Sequence, residues 1–193
     1  MVGGRRFGRR RIIVVASAAV CLTAVSAGML AVPAFAETVA AKTARATPLV
    51  EGTPCTITAK ACVDLESDRA WLIDGGKIFK GPVDVSSGGK GEETPTGHSL
   101  RVYRKEPDHK STESRAPNGR PADMPWSVFF EDGGIAFHGG DPERASAGCI
   151  HLEPSDAKIW YDHLQVGDQV QVVNASEEYR AHKVDRDSDY SLR

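Results

Sequence analysis

Neither sign of charge is in excess: 24 Lys and Arg stand against 26 Asp and Glu in 193 residues, a formal −2. That balance excludes a strongly basic nucleic-acid binder and a multispanning membrane protein. Internal repeats are absent, and so are the C-x-x-C and H-E-x-x-H spacings that make a strong case for zinc. Cysteine is scarce, with 4 in the chain. What is plentiful is turn material, 19 Gly and 11 Pro beside a 40% hydrophobic content. Together these describe one soluble domain with many turns, not two full domains.

The near-zero charge is an average over two unlike parts. Residues 1–36 carry Arg5, Arg6, Arg9, Arg10 and Arg11 and no acid. Removing those five from the 24 basic side chains leaves 19 against 26 acidic ones, or −7, on the rest of the chain. After the arginines, Ile12 to Val32 is uncharged and Ala34-Phe35-Ala36 ends the segment with small residues. A basic start, an apolar middle and an A-x-A end describe a secretory signal cut after Ala36. The rival reading is an uncleaved anchor, a membrane tether through residues 12–32. Either route places the rest of the chain outside the cytoplasm, secreted or at the wall-facing side of the membrane. Residues 37–54, rich in Ala, Thr and Lys without apolar periodicity, read as a flexible spacer. Residues 174–193 read as a loosely packed charged tail, which leaves residues 55–173 as the folded unit.

Within that unit, short strands alternate with polar turns. Cys62–Leu65 and Ala70–Ile73 flank a turn, and Asp74-Gly75-Gly76 is a hairpin signal ahead of Lys77–Lys80. Pro82–Ser86, Ser99–Tyr103, Trp126–Phe130 and Ile135–His138 continue the extended pattern. Between them, residues 104–123 lose all periodicity and read as a long functional loop. One helix is expected from Pro154, with Ala157, Trp160, Tyr161 and Leu164 on an apolar face and Gly167 beyond its end. Residues 168–173 close the unit as a strand. The fold class is mainly β with one clear helix.

Removing the leader, with Cys21, leaves three cysteines. Cys55 and Cys62 are spaced for a small disulfide loop in an oxidising compartment, the alternative being two buried thiols. Cys149 is then the odd one, preceded by the small residues Ser146-Ala147-Gly148. These leave room for a substrate and for backbone N–H groups to face an oxyanion. His138, at a strand end before Gly139-Gly140, is the nearest upstream imidazole. The pair is compatible with nucleophilic acyl chemistry, with a buried structural cysteine and, less well, with a metal site. No metal or other cofactor is expected.

Ile135-Ala136-Phe137-His138-Gly139 followed by Ser146-Ala147-Gly148-Cys149-Ile150-His151-Leu152 resembles the L,D-transpeptidase catalytic (YkuD) domain. Ser87-Gly88, Thr94-Pro95-Thr96-Gly97 and Val166-Gly167-Asp168-Gln169-Val170 extend the resemblance over residues 60–173. It implies a YkuD-like β-rich fold and a peptidoglycan enzyme whose donor and acceptor are stem peptides. The implied reaction cleaves a terminal D-Ala through a cysteine acyl-enzyme and forms a 3→3 cross-link. An L,D-carboxypeptidase or endopeptidase is the alternative enzyme, and a non-catalytic wall-binding domain the alternative of a different class. The resemblance assigns Cys149 as nucleophile, His138 as base and acid, and the Gly139 carbonyl as the group that orients the imidazole. Ser146 and Gly148 are assigned to loop geometry and the oxyanion site. The sequence departs from the family pattern at Ala147, usually His, and at His151, usually Arg or Asn. The interval from His138 to Cys149 is also short. His151 is a candidate for binding a substrate carboxylate, and His109, on the long loop, for touching substrate.

Overall fold

A computed structural model describes residues 47–190 of the chain. The leader, with its expected cleavage site and the tether through residues 12–32, lies outside the described residues. Among these, no helix is long and apolar enough to cross a membrane. Nine strands form one sheet: β1 (Ala61–Asp64), β2 (Arg69–Asp74), β3 (Lys77–Ser86), β4 (Gly97–Arg101), β5 (Arg104–Arg115), β6 (Pro121–Glu131), β7 (Ile135–Gly139), β8 (Ile150–Leu152) and β9 (Gln169–Val173). Their spatial order is β4-β9-β1-β2-β3-β8-β7-β6-β5, and β4 also comes against β6. Two α-helices accompany them among the described residues, α1 (Pro154–His163) and α2 (Ala175–Tyr190).

Strand alternation sorts the side chains into two cores. Ala61 and Val63 of β1, Ala70 and Leu72 of β2, and Val170 and Val172 of β9 belong to the main core. There they join Phe137, Ile150 and Leu152, and Ala157 and Trp160 of α1, with Leu164 just past its end, close it. The intervening residues, Cys62, Trp71, Ile73 and Val173, point the other way and pack with Val50, Cys55 and Ala59. This second cluster explains why β1 is buried throughout: both of its faces are covered. Helix α1 starts with Pro154 at its first turn, as expected, and packs on β6, β7 and β8.

The Cys55–Cys62 disulfide is present and sits inside the smaller cluster. It fastens the segment ahead of β1, where Val50 and Thr53 are buried and Gln171 holds Thr56 through two hydrogen bonds of 2.9 and 2.8 Å. Packed chain therefore begins ahead of Cys55, inside the stretch read as spacer. Replacing both cysteines by alanine is expected to cost about 2–3 kcal/mol, a loop-closure value. Urea denaturation of the double variant against the oxidised parent measures it, and the site cysteine is untouched by the change.

Two expectations are corrected. Residues 104–123 are not a loop but most of a long hairpin, β5 and β6, paired from Arg104↔Phe129 to Arg115↔Pro121. β5 is an edge strand exposed along most of its length, so it has no buried face to impose alternation, and its Lys and Arg suit an unpaired edge. Likewise the segment after Val173, expected to be loose or weakly packed, is helical from Ala175, though mostly exposed where its side chains are described. Its first two N–H groups, of Ala175 and Ser176, donate to the carboxylates of Asp64 and Glu66 at 3.0 and 2.6 Å. Glu178 accepts from or pairs with His98 at 2.7 Å. Asn174 and Glu177 stand where an N-cap residue and its partner three residues on would, and the acids of a distant turn complete the N-terminus.

Candidate active site

The parallel pairing of β7 with β8 sets the frame. His138 lies opposite His151 in that register, and Phe137 opposite Ile150. Side chains two apart share a face of a strand, so Cys149, one residue ahead of β8, falls on the same side as His138 and His151. All three line an open cavity of about 1050 Å³. The β5–β6 hairpin forms one wall of it and the chain from Gly139 to Ala147 another.

His138 is 6% exposed, and its Nδ1 lies 3.0 Å from the carbonyl oxygen of Gly139. A carbonyl only accepts, so Nδ1 carries the proton and Nε2 of the neutral ring is a bare acceptor. Burial is the main reason that its pKa falls from 6.5 to about 4; the Gly139 carbonyl opposes that shift, and the positive fields of His151 and His109 add to it. Gly139 is needed here for space: a Cβ would come within 3.0 Å of Pro125 Cγ and 3.3 Å of Pro154 Cα. A larger residue would push the strand end, and the carbonyl that holds the ring, out of place.

Cys149 is the one free thiol among the described residues. Its Sγ donates to the Gly134 carbonyl at 3.7 Å. Burial raises its pKa above 9.0, with a backbone hydrogen bond from Ala136 pulling the other way. At neutral pH the resting pair is therefore thiol and imidazole, both uncharged, not a preformed ion pair.

The loop that presents Cys149 is held from several sides. Ser146 Oγ donates to the Cys149 carbonyl at 2.5 Å and accepts from the Gly148 N–H at 3.1 Å. The Gly148 N–H is thus engaged within the loop, so Ser146 and Gly148 shape it. Gly148 has φ +104°, and a Cβ there would meet Ile135 Cδ1 at 2.7 Å. Thr94 was not singled out as a site residue from sequence. Its Oγ1 donates to the Gly148 carbonyl at 2.8 Å and accepts from the Gly88 N–H at 2.9 Å, linking the loop to the turn after β3. The available signal was its place in Thr94-Pro95-Thr96-Gly97.

The remaining histidines divide. His151 stands edge-on to His138, with ring centroids 4.8 Å apart. Its Nδ1 is 3.0 Å from the Arg144 carbonyl, and 3.2 Å from both the Asp141 carbonyl and Ser86 Oγ. His109 is on a strand, not a loop. It is bonded to Glu106 at 2.6 Å and packed edge-on over Phe129, but it does line the cavity. Cys55 and Cys62 are remote in role, confined to the smaller core. No group of three or more His, Cys, Asp and Glu that could hold a metal occurs among the described residues.

A buried, carbonyl-oriented imidazole facing the same cavity as a strand-end thiol is an arrangement compatible with cysteine–histidine acyl transfer. The chain belongs to the L,D-transpeptidase catalytic domain family, YkuD, which matches residues 58–172. It is 29% identical over 97 residues to L,D-transpeptidase 2 of Mycobacterium tuberculosis, covering 43% of this chain and 24% of that protein. To the probable L,D-transpeptidase ErfK/SrfK of Salmonella typhimurium it is 30% identical over 114 residues, covering 56% and 33%. The chain thus spans a third or less of the length of these relatives. Among solved structures, the L,D-transpeptidase of Stackebrandtia nassauensis is similar with TM-score 0.52 and 31% identity, covering 59% of this chain and 54% of that one. An Enterococcus faecium L,D-transpeptidase variant gives 0.51 and 26%, covering 60% and 50%.

Proposed function

We propose that this protein is a peptidoglycan L,D-transpeptidase that forms 3→3 cross-links outside the cytoplasm, where its Arg-rich and Ala-rich leader would deliver it. The observation that carries the reading is the joint placement of Cys149 and His138 in one open cavity, with Nδ1 of His138 committed to Gly139. That leaves Nε2 to take a proton. When a stem tetrapeptide enters, the Cys149 thiol turns from the Gly134 carbonyl and gives its proton to Nε2. Sγ attacks the carbonyl carbon of the third residue, and the oxyanion forms beside the Cys149 N–H. Collapse breaks the bond to D-Ala, and the imidazolium protonates the departing amine. The thioester is then attacked by the side-chain amine of a second stem, whose proton passes to Nε2 as Sγ leaves.

The cavity volume of about 1050 Å³ supports the two-peptide reaction, since it is large for a single small ligand and open to solvent. The test is incubation of residues 37–193 with tetrapeptide stems and mass spectrometry of the products. D-Ala release with dimers one D-Ala lighter is the expected result. Release with only tripeptide would move the reading to a carboxypeptidase, and no release at all would remove it.

A further inference from the structure

Five cationic side chains line the cavity: Arg104, Lys110, Arg115, Arg120 and Arg144. Two are already neutralised. Arg104 pairs with Glu106 at 2.7 Å and lies over the Phe129 ring, and Lys110 pairs with Asp123 at 2.5 Å. Arg115 and Arg120 flank the turn of the β5–β6 ribbon, beyond a register shift after Lys110, which ties them to the body of the domain only through that hairpin. Arg144 is different on both counts. It has no ion pair among the described residues, and its backbone is held next to the Cys149 loop.

That fixation has several strands. The Arg144 carbonyl accepts from Ser86 Oγ at 2.6 Å and from His151 Nδ1 at 3.0 Å, and its N–H donates to the Asp141 carbonyl at 3.2 Å. Two residues on, the Ser146 N–H donates to the Ser87 carbonyl at 3.0 Å. Asp141 also lines the cavity; its carboxylate accepts from the Glu143 N–H at 2.9 Å and forms no ion pair with Arg144. His151 reaches this turn only because residue 140 is glycine: a Cβ there would come within 3.0 Å of His151 Cγ. An imidazole whose Nδ1–H is spent on two carbonyls and a hydroxyl is a clasp.

We infer that Arg144 is the specificity-determining residue that binds the terminal carboxylate of the acyl donor, and that His151 is the positioning residue that holds it there. A guanidinium presents paired donors that match a carboxylate, and an unpaired one carried on a backbone held next to the Cys149 loop can select substrates with that group. The inference rests on the transpeptidase reading, because the tetrapeptide's C-terminal D-Ala supplies the carboxylate beside the bond that breaks. It assigns to the 141–144 turn a recognition task, and to His151 a role that a surface histidine would not have.

The experiment compares a stem tetrapeptide ending in the free acid with the same peptide ending in a carboxamide. The parent protein should prefer the free acid, and Arg144→Ala should erase that preference by raising KM for the acid about ten- to a hundredfold with little change in kcat. Arg144→Lys should recover part of it. His151→Leu should lower the preference in the same direction, and His151→Gln, which keeps a donor for the carbonyls, should restore most of it. Calorimetric binding of both peptides to the Cys149→Ala protein repeats the comparison without turnover. Discrimination in binding without D-Ala release from the parent would sink the transpeptidase reading and keep Arg144 in its role. Release with equal losses on both peptides in Arg144→Ala, or no loss on either, overturns the inference and keeps the reading.

Discussion

Cys149→Ala is expected to abolish D-Ala release, a fall of at least about 10⁴-fold in turnover, because Cys149 is the one free thiol among the described residues and it lines the cavity beside His138. Ser146 is the nearest alternative nucleophile in sequence, but its hydroxyl is spent on the Cys149 carbonyl and the Gly148 N–H. The fold should survive the change. The thiol contributes one long hydrogen bond to Gly134, and its side chain sits at the margin of a small cluster with Met124, Phe129 and Ala136. A stability loss of about 1 kcal/mol or less is expected, so circular dichroism of the variant should match the parent. The same residue gives a second, independent readout. Because burial raises its pKa, the thiol should react slowly with iodoacetamide at neutral pH, with the rate climbing about tenfold per pH unit up to and beyond pH 9. A rate that stays flat between pH 5 and pH 8 would instead mean a preformed thiolate–imidazolium pair, and the neutral resting state would be wrong.

The parts of this site that can be read in sequence are those whose causes are local. Ile135-Ala136-Phe137-His138 is a short apolar run after the Gly133-Gly134 turn, as a buried strand should be, and Pro154 with Ala157, Trp160 and Leu164 marks the helix that closes the core behind it. The cysteine pair and the odd cysteine separate by counting alone. What stays hidden depends on partners far along the chain. Thr94 acts through Gly148, 54 residues away, and α2 begins where Asp64 and Glu66 accept its first N–H groups, 111 and 110 residues away. The β5–β6 hairpin is hidden for a different reason. With charged residues on both faces of β5 and no buried side, its pairing is written in backbone hydrogen bonds and not in hydrophobic pattern. His151 combines both difficulties, since its neighbours in sequence are strand residues while its bonds go to the 141–144 turn and Ser86.

His138→Gln should lower turnover about 10²–10⁴-fold, the usual span for removing a positioned general base. It should also change the pH dependence of stability in a direction fixed by the ring's burial. The folded protein holds this imidazole at about 4, below the 6.5 of an exposed ring, so between those values the unfolded chain binds the proton and the folded one does not. The contribution is therefore fully present above pH 6.5. It is lost as pH falls through the window and gone by about pH 4, a total of about 3 kcal/mol. Glutamine does not titrate, so His138→Gln should lack this component. Urea midpoints of parent and variant, measured every half unit from pH 7.5 to pH 4, should show the parent losing stability relative to the variant as pH falls. Curves that run parallel across the window would show that the ring is not held neutral by burial. That relative loss together with the loss of turnover would tie both properties to one arrangement. The buried ring, fixed by Gly139, destabilises the fold in acid for the same reason that it keeps Nε2 unprotonated, and available to the Cys149 proton, at the pH where the reaction runs.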